Sequence, residues 1–169
     1  MRRLRAKSSK RSDHFSSSSA ELGNAMPLVE ALASYERKLG RARVIVAEDD
    51  FLIAMQIQEV LSAAGLEVVG TAVTAEEVLD LARQERPALV LMDIRLAGRH
   101  DGIEAARELF QQLNIRCIFA TANDDFHTRE RAEYFAPLGW LTKPYTMASL
   151  LASVADALDE LGRGAEQAR

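Results

Sequence analysis

Two hydrophobic patterns alternate along this chain from Arg43 onward. Short apolar runs, Val44-Ile45-Val46-Ala47 and Leu89-Val90-Leu91-Met92, show no polar alternation. That is the pattern of strands buried on both faces. Between such runs lie stretches with apolar residues at helical spacing, such as Leu52, Met55, Ile57, Val60 and Leu61 within Phe51 to Ala64, closed by Gly65. The pattern continues with a strand around Val68-Val69-Gly70 and a helix from Ala75 to Gln84. After the Leu89 run come a helix from Gly102 to Leu113 and a strand from Ile115 to Ala120. A helix between Phe126 and Phe135, a strand from Leu138 to Thr142 and a helix from Met147 to Leu161 complete the series. Five strands alternating with five helices predict an α/β fold with three layers. Right-handed crossovers then give a parallel sheet covered on both faces.

The first residues read differently. Residues 1–25 form a basic, Ser-rich leader with a run from Ser16 to Ser19, and their composition predicts disorder. Residues 26–41 predict a short helix: Pro27 suits a first turn, Leu28, Ala31, Leu32 and Tyr35 share one face, and Gly40 ends it. Met26 is also a candidate start codon. Residues 43–162 make the principal domain and 163–169 a tail.

Composition narrows the function. The 169 residues are 48% hydrophobic and 27% charged, which suits one ordinary domain with a proper core. No apolar stretch approaches the roughly 18 residues of a membrane span, and the basic N-terminus lacks the apolar region of a signal peptide. The single cysteine, Cys117, excludes an internal disulfide framework and points to a cytoplasmic setting. From Arg43 onward, 12 Lys/Arg against 21 Asp/Glu give a net charge of −9. So acidic a domain is not built to lie on nucleic acid, and only the leader, with six basic residues in its first twenty, suits phosphate.

In an open parallel sheet, chemistry gathers at the carboxyl ends of the strands. Those ends carry Glu48-Asp49-Asp50, Asp93, Thr121-Ala122 and Thr142-Lys143-Pro144. Asp50 reads most simply as the N-cap of the first helix. Glu48, Asp49 and Asp93, with only Lys143 beside them, leave negative charge to spare, which calls for a cation. Oxygen donors without paired histidines favour magnesium over zinc or copper. His14, His100 and His127 lie in unrelated segments and read as surface residues. The chain has no phosphate-cradling glycine loop and no nucleophile elbow.

The set Glu48-Asp49, Asp93, Thr121-Ala122 and Lys143-Pro144, one pair or residue per strand end, resembles the receiver domain of two-component response regulators. The resemblance implies a flavodoxin-like sheet of order 2-1-3-4-5, with Asp93 as phosphoacceptor. It implies that Asp49 ligates Mg2+ directly, that Glu48 acts mostly through water, and that the backbone carbonyl of Arg95 is a further ligand. Thr121 would bond a phosphoryl oxygen, Lys143 would neutralise another, and Lys143-Pro144 would be a cis peptide. Arg95 and Asn123 would border the phosphoryl group and tune its lifetime. The donor implied is a histidine kinase or histidine phosphotransfer protein.

Three departures accompany the resemblance. The loop from Ile94 to Gly102 is one residue longer than usual and lacks the common Met-Pro step. Trp140 stands where Tyr or Phe is usual, as a candidate switch residue. Phe119-Ala120-Thr121-Ala122-Asn123 is similar to the Phe-Ala-Thr-Gly-Tyr signature of an alphaproteobacterial stress-signalling subgroup, with Gly-Tyr replaced. No DNA-binding or enzymatic output segment follows the last helix, so the expectation is a stand-alone regulator with no external catalytic turnover. It would act on a downstream protein partner, as a monomer or a phosphorylation-dependent dimer. The alternatives are a phosphorylation-independent pseudo-receiver, and a nucleic-acid-binding protein acting through its leader.

Overall fold

The computed structural model describes residues 41–122 and 126–167. The leader, residues 26–40 of the helix expected over 26–41, and Asn123 lie outside the described residues, and Arg41 is a turn. The strands are β1 (Arg43–Ala47), β2 (Glu67–Ala72), β3 (Leu89–Asp93), β4 (Arg116–Thr121) and β5 (Gly139–Thr142). The helices are α1 (Phe51–Ala63), α2 (Ala75–Glu85), α3 (Gly102–Glu108), α4 (Phe126–Glu133) and α5 (Met147–Gln167). All pairings are parallel, and the sheet order is β2-β1-β3-β4-β5.

The two-residue period of a strand sends alternate side chains to opposite faces, and both faces are dry. Val44, Val46, Leu89, Leu91, Ile118 and Ala120 meet Ile57 and Leu61 of α1 and Leu150 and Val154 of α5. Ile45, Ala47, Val90, Met92, Cys117 and Phe119 meet α2, α3 and Ala132 of α4 on the other side. The apolar runs therefore read as continuous because each strand serves two cores. Among the described residues, no helix is long and apolar enough to cross a membrane.

Two helix ends differ from the periodicity. The stretch expected as one helix from Gly102 to Leu113 is α-helical only to Glu108, and Leu109–Leu113 is a π-helical turn. Asn114 closes it in the left-handed region, φ 55°, which Asn tolerates. At the other end α5 runs through Gln167 rather than stopping at Leu161, and so takes in part of the stretch set aside as a tail. Gly162 and Gly164 suggest a stop, but both face open space, so each costs the helix only about 1 kcal/mol against alanine.

One close approach fixes the position of Asp93. Gly102 opens α3 and donates its N–H to the Ile94 carbonyl at 2.9 Å. A Cβ on Gly102 would stand 2.1 Å from the Asp93 carbonyl oxygen and 2.9 Å from Met92 Cγ. Only glycine lets the start of α3 lie against the end of β3. Gly102→Ala is expected to lower stability by about 3 kcal/mol, the upper range for overpacking, because the obstructing atom is backbone and cannot rotate away. Urea denaturation checks this; a loss under about 0.5 kcal/mol would show that the contact gives way freely.

Candidate functional site

The site is built where the crossovers diverge. From β3, one neighbouring strand precedes it in the chain and the other follows, so the loops after β1 and β3 part and leave a crevice between them. Glu48 follows β1 directly, and its N–H donates to the Ala72 carbonyl at 3.0 Å. Asp50 turns the chain into α1, its Oδ1 accepting from the N–H groups of Leu52 and Ile53 at 2.9 and 3.2 Å. Asp50 is thus the N-cap, and Asp49 between them is left exposed at the rim.

Asp93 ends β3 with its carboxylate held from two sides. Oδ1 accepts from the Arg95 N–H at 2.9 Å, and Oδ2 accepts from Lys143 Nζ at 2.5 Å. The same ammonium donates to Glu48 Oε2 at 2.7 Å. Lys143 is aimed there by β5: its backbone N–H donates to the Thr121 carbonyl at 2.7 Å, and the Lys143-Pro144 bond is cis, as the resemblance implies. Glu48, Asp93 and Thr121 are 3%, 6% and 4% exposed, and they are the buried polar side chains of the described residues. One oxygen from each of Glu48, Asp49 and Asp93 lies within 4.8 Å of the others.

The profile of the response regulator receiver domain matches residues 44–155. The chain belongs to that family. It is 35% identical over 112 residues to the transcriptional regulatory protein PdtaR of Mycobacterium tuberculosis, covering 66% of this chain and 54% of the relative. It is 34% identical over 117 residues to the phyllosphere-induced regulator PhyR of Methylorubrum extorquens, covering 68% and 43%. This receiver chain spans about half the length of the curated relatives it matches. Among solved structures, the PhyR response regulator of Brucella abortus is similar with a TM-score of 0.68 at 29% identity, over 87% of this chain and 60% of that one. The signal receiver domain of a diguanylate cyclase from Desulfovibrio desulfuricans also gives 0.68, at 32% identity over 73% and 98%.

The receiver site carries an electrostatic imbalance. Burial pushes the Glu48 carboxyl above its ordinary value, the Lys143 hydrogen bond pulls it back in part, and the Asp93 charge raises it again. Burial alone would lower the Lys143 ammonium, but its bonds to Asp93 and Glu48 outweigh that and raise it. Two carboxylates thus share one ammonium, and a third, Asp49, stands beside them. The donors are all oxygen, two of the three residues are buried, and the charge is in excess, which fits a hard divalent cation such as Mg2+.

Every described residue of the expected set except two converges on this crevice. Trp140 lies away from it: its ring stacks on Phe119 at 4.9 Å, and the Arg129 guanidinium of α4 sits 4.9 Å from its centroid. Arg95 reaches the crevice through its backbone, while its residue as a whole is exposed. Sequence reasoning missed Gly102, for which the one signal was a poor helix former opening a helix. It also missed Tyr145, whose buried hydroxyl burial pushes up in pKa.

A raised carboxyl in the fold has a definite sign. Above about 4.5, Glu48's ordinary value, the native state binds more protons than the unfolded one, so this group's contribution falls as pH rises. Glu48→Gln is therefore expected to raise the urea midpoint at pH 7 without divalent cations, with the gap closing as the pH falls below that value. Added Mg2+ should reverse the order, because the wild type gains more from binding. A variant less stable than wild type in chelator at pH 7 would contradict this.

Proposed function

We propose that this chain is a phosphoacceptor response regulator of a two-component or phosphorelay system in the cytoplasm. Asp93 takes a phosphoryl group from a phosphohistidine of a histidine kinase or histidine phosphotransfer protein, and the chain signals by binding another protein. The observation that supports it most is the Asp93 carboxylate, buried and held by the Arg95 N–H and Lys143. A carboxylate oxygen fixed in direction attacks phosphorus, the P–N bond of the donor breaks, and the imidazole leaves with a proton from solvent. Phosphoryl transfer asks the protein mainly for positioning and charge neutralisation. Lys143 already touches Asp93 and needs little movement to meet a phosphoryl oxygen.

Mg2+ held by Asp49, Asp93 and the Arg95 carbonyl, with Glu48 through water, would supply the remaining positive charge. Thr121, buried at the end of the neighbouring strand, would bond a phosphoryl oxygen. The chain then has no external substrate to turn over: phosphorylation and loss of phosphate both occur on Asp93. Output through a protein partner is supported by likeness to PhyR proteins, one of which, from Bartonella quintana, is described as an anti-anti-sigma factor. That structure is 27% identical with a TM-score of 0.63, over 83% of this chain and 58% of that one.

Incubation with a small-molecule phosphodonor and Mg2+ should add one phosphate, and Asp93→Asn should cut labelling at least about 100-fold, as loss of a covalent nucleophile does. Equal labelling of the variant would place the acceptor elsewhere, and no binding of Mg2+ by the wild type would favour a pseudo-receiver.

Trp140 gives a second readout. It pairs with Phe119 in the β4–β5 register, and Thr121 pairs with Thr142 two residues on, so Trp140 and Thr121 share one sheet face. Movement of Thr121 toward a phosphoryl group changes the packing on that face. Beryllofluoride with Mg2+ is expected to change Trp140 fluorescence, and Thr121→Ala to weaken the response. An undiminished response in Thr121→Ala would route the coupling through other residues.

A further inference from the structure

The loop between β5 and α5 runs from Lys143 to Thr146 and is pinned at both ends. At its start the Lys143 N–H donates to the Thr121 carbonyl at 2.7 Å. At its end Thr146 caps α5: its Oγ1 accepts from the Ser149 N–H at 3.1 Å, and the Thr146 N–H donates to Ser149 Oγ at 3.1 Å. Between the two pins stands Tyr145, whose ring packs against the core on the α1 and α5 side of the sheet.

That packing needs only a ring, and phenylalanine would supply it. The hydroxyl is a separate matter. Among the described residues, its oxygen is the one buried side-chain N or O atom without a hydrogen-bond partner. A buried hydroxyl left in that condition destabilises the fold. Its surroundings are not purely apolar either. Burial pushes its pKa up, and the charges of Lys143, Glu48 and Asp93 all act on it. Tyr145 therefore borders the receiver site without bonding to it.

The neighbouring acceptors already have donors. Glu48 Oε2 accepts from the Lys143 ammonium at 2.7 Å, and Glu48 Oε1 accepts from the Asp50 N–H at 3.4 Å. The same ammonium holds Asp93 Oδ2 at 2.5 Å. If the ammonium turns away, Glu48, only 3% exposed, loses its strongest donor and has little access to water. A carboxylate only accepts, and a tyrosine hydroxyl has one proton to give. There is room for the ring to follow: a groove of about 380 Å3 beside it is lined by Ile53, Gln56, Lys143, Pro144, Tyr145 and Met147.

We infer that Tyr145 is a positioning residue: its hydroxyl takes the place of Lys143 as donor to the Glu48 carboxylate when the ammonium turns to a phosphoryl group on Asp93. The inference rests on the proposed function, which supplies that phosphoryl group. A ligand shifts an equilibrium only through interactions that differ between the two states. Here the hydroxyl is unbonded in the resting state and bonded to a charge in the other, so it favours the phosphorylated form.

The test compares wild type and Tyr145→Phe in the full chain, with beryllofluoride and Mg2+ as the phosphoryl mimic. Tyr145→Phe is expected to weaken beryllofluoride binding about ten-fold, the size of one hydrogen bond to a charged group, while Mg2+ alone binds as it does to wild type. Without ligand its urea midpoint should equal or exceed that of wild type, because an unpartnered hydroxyl is removed. Unchanged beryllofluoride affinity would mean that the ring only fills the core, and would overturn the inference. An equal loss of affinity for Mg2+ alone would overturn it too. A second measurement needs no phosphoryl mimic. Lys143→Met removes the competing donor, so adding Tyr145→Phe to it should lower the urea midpoint at pH 7, which the same change does not do beside Lys143. Equal effects of Tyr145→Phe in the two backgrounds would overturn the inference. A wild type that binds no beryllofluoride overturns the proposed function instead, and the Lys143→Met pair then decides the role of Tyr145 by itself.

Discussion

The ammonium of Lys143, shared between Glu48 and Asp93, is the interaction on which the rest of this molecule turns. It joins three strand ends that are far apart in sequence: Glu48 follows β1, Asp93 ends β3 and Lys143 follows β5. None of these groups is stable where it sits without the others. Two buried carboxylates repel one another, and burial of the ammonium without them would lower its pKa. Placing all three together leaves the charge unbalanced by design of the topology, since β1 and β3 are neighbours and both end in acids. The local deficit of positive charge is what makes the crevice receptive to a cation.

That imbalance costs stability, and the two cores offset the cost. Each strand of the central pair is buried on both faces, so the ends of β1 and β3 are held by packing that does not depend on the charges. The backbone contributes at the same place. Gly102 sits against the Asp93 carbonyl, and the Glu48 N–H is bound to the end of β2. A functional group can be held at an unfavourable spot only when the surrounding structure over-determines its position. Here that surrounding is a sheet, which is stiffer than a loop.

Much of this was legible in the sequence. The unbroken apolar runs gave the doubly covered sheet, and the acids, hydroxyl and ammonium at strand ends gave the crevice, because a parallel sheet brings its carboxyl ends together whatever their separation along the chain. What failed to show depends on contacts between residues with no pattern of their own. The π-helical turn at Leu109–Leu113 keeps an apolar periodicity that an α-helix also satisfies. The extension of α5 past Leu161 runs through two glycines that composition reads as a stop, although nothing crowds them. The closeness of Gly102 to Asp93 is a distance, which no pattern along the chain records.

The helices are not held equally firmly, and α4 is the weakly held one among the described residues. On one face, α1 buries Ala54, Ile57 and Leu61, and α5 buries Leu150, Leu151 and Val154. On the other face, α4 buries Ala132 alone and leaves Phe126 largely exposed. Its described hold on the sheet includes the Arg129 guanidinium over Trp140, a contact of about 0.5–1 kcal/mol at exposed sites. A helix with one buried residue opens or shifts at lower cost than one with three. Thr121 belongs to the strand that ends beside this weakly held helix, and Trp140 lies beneath it. A change in Thr121 therefore meets little resistance toward α4 and much resistance toward α1 and α5.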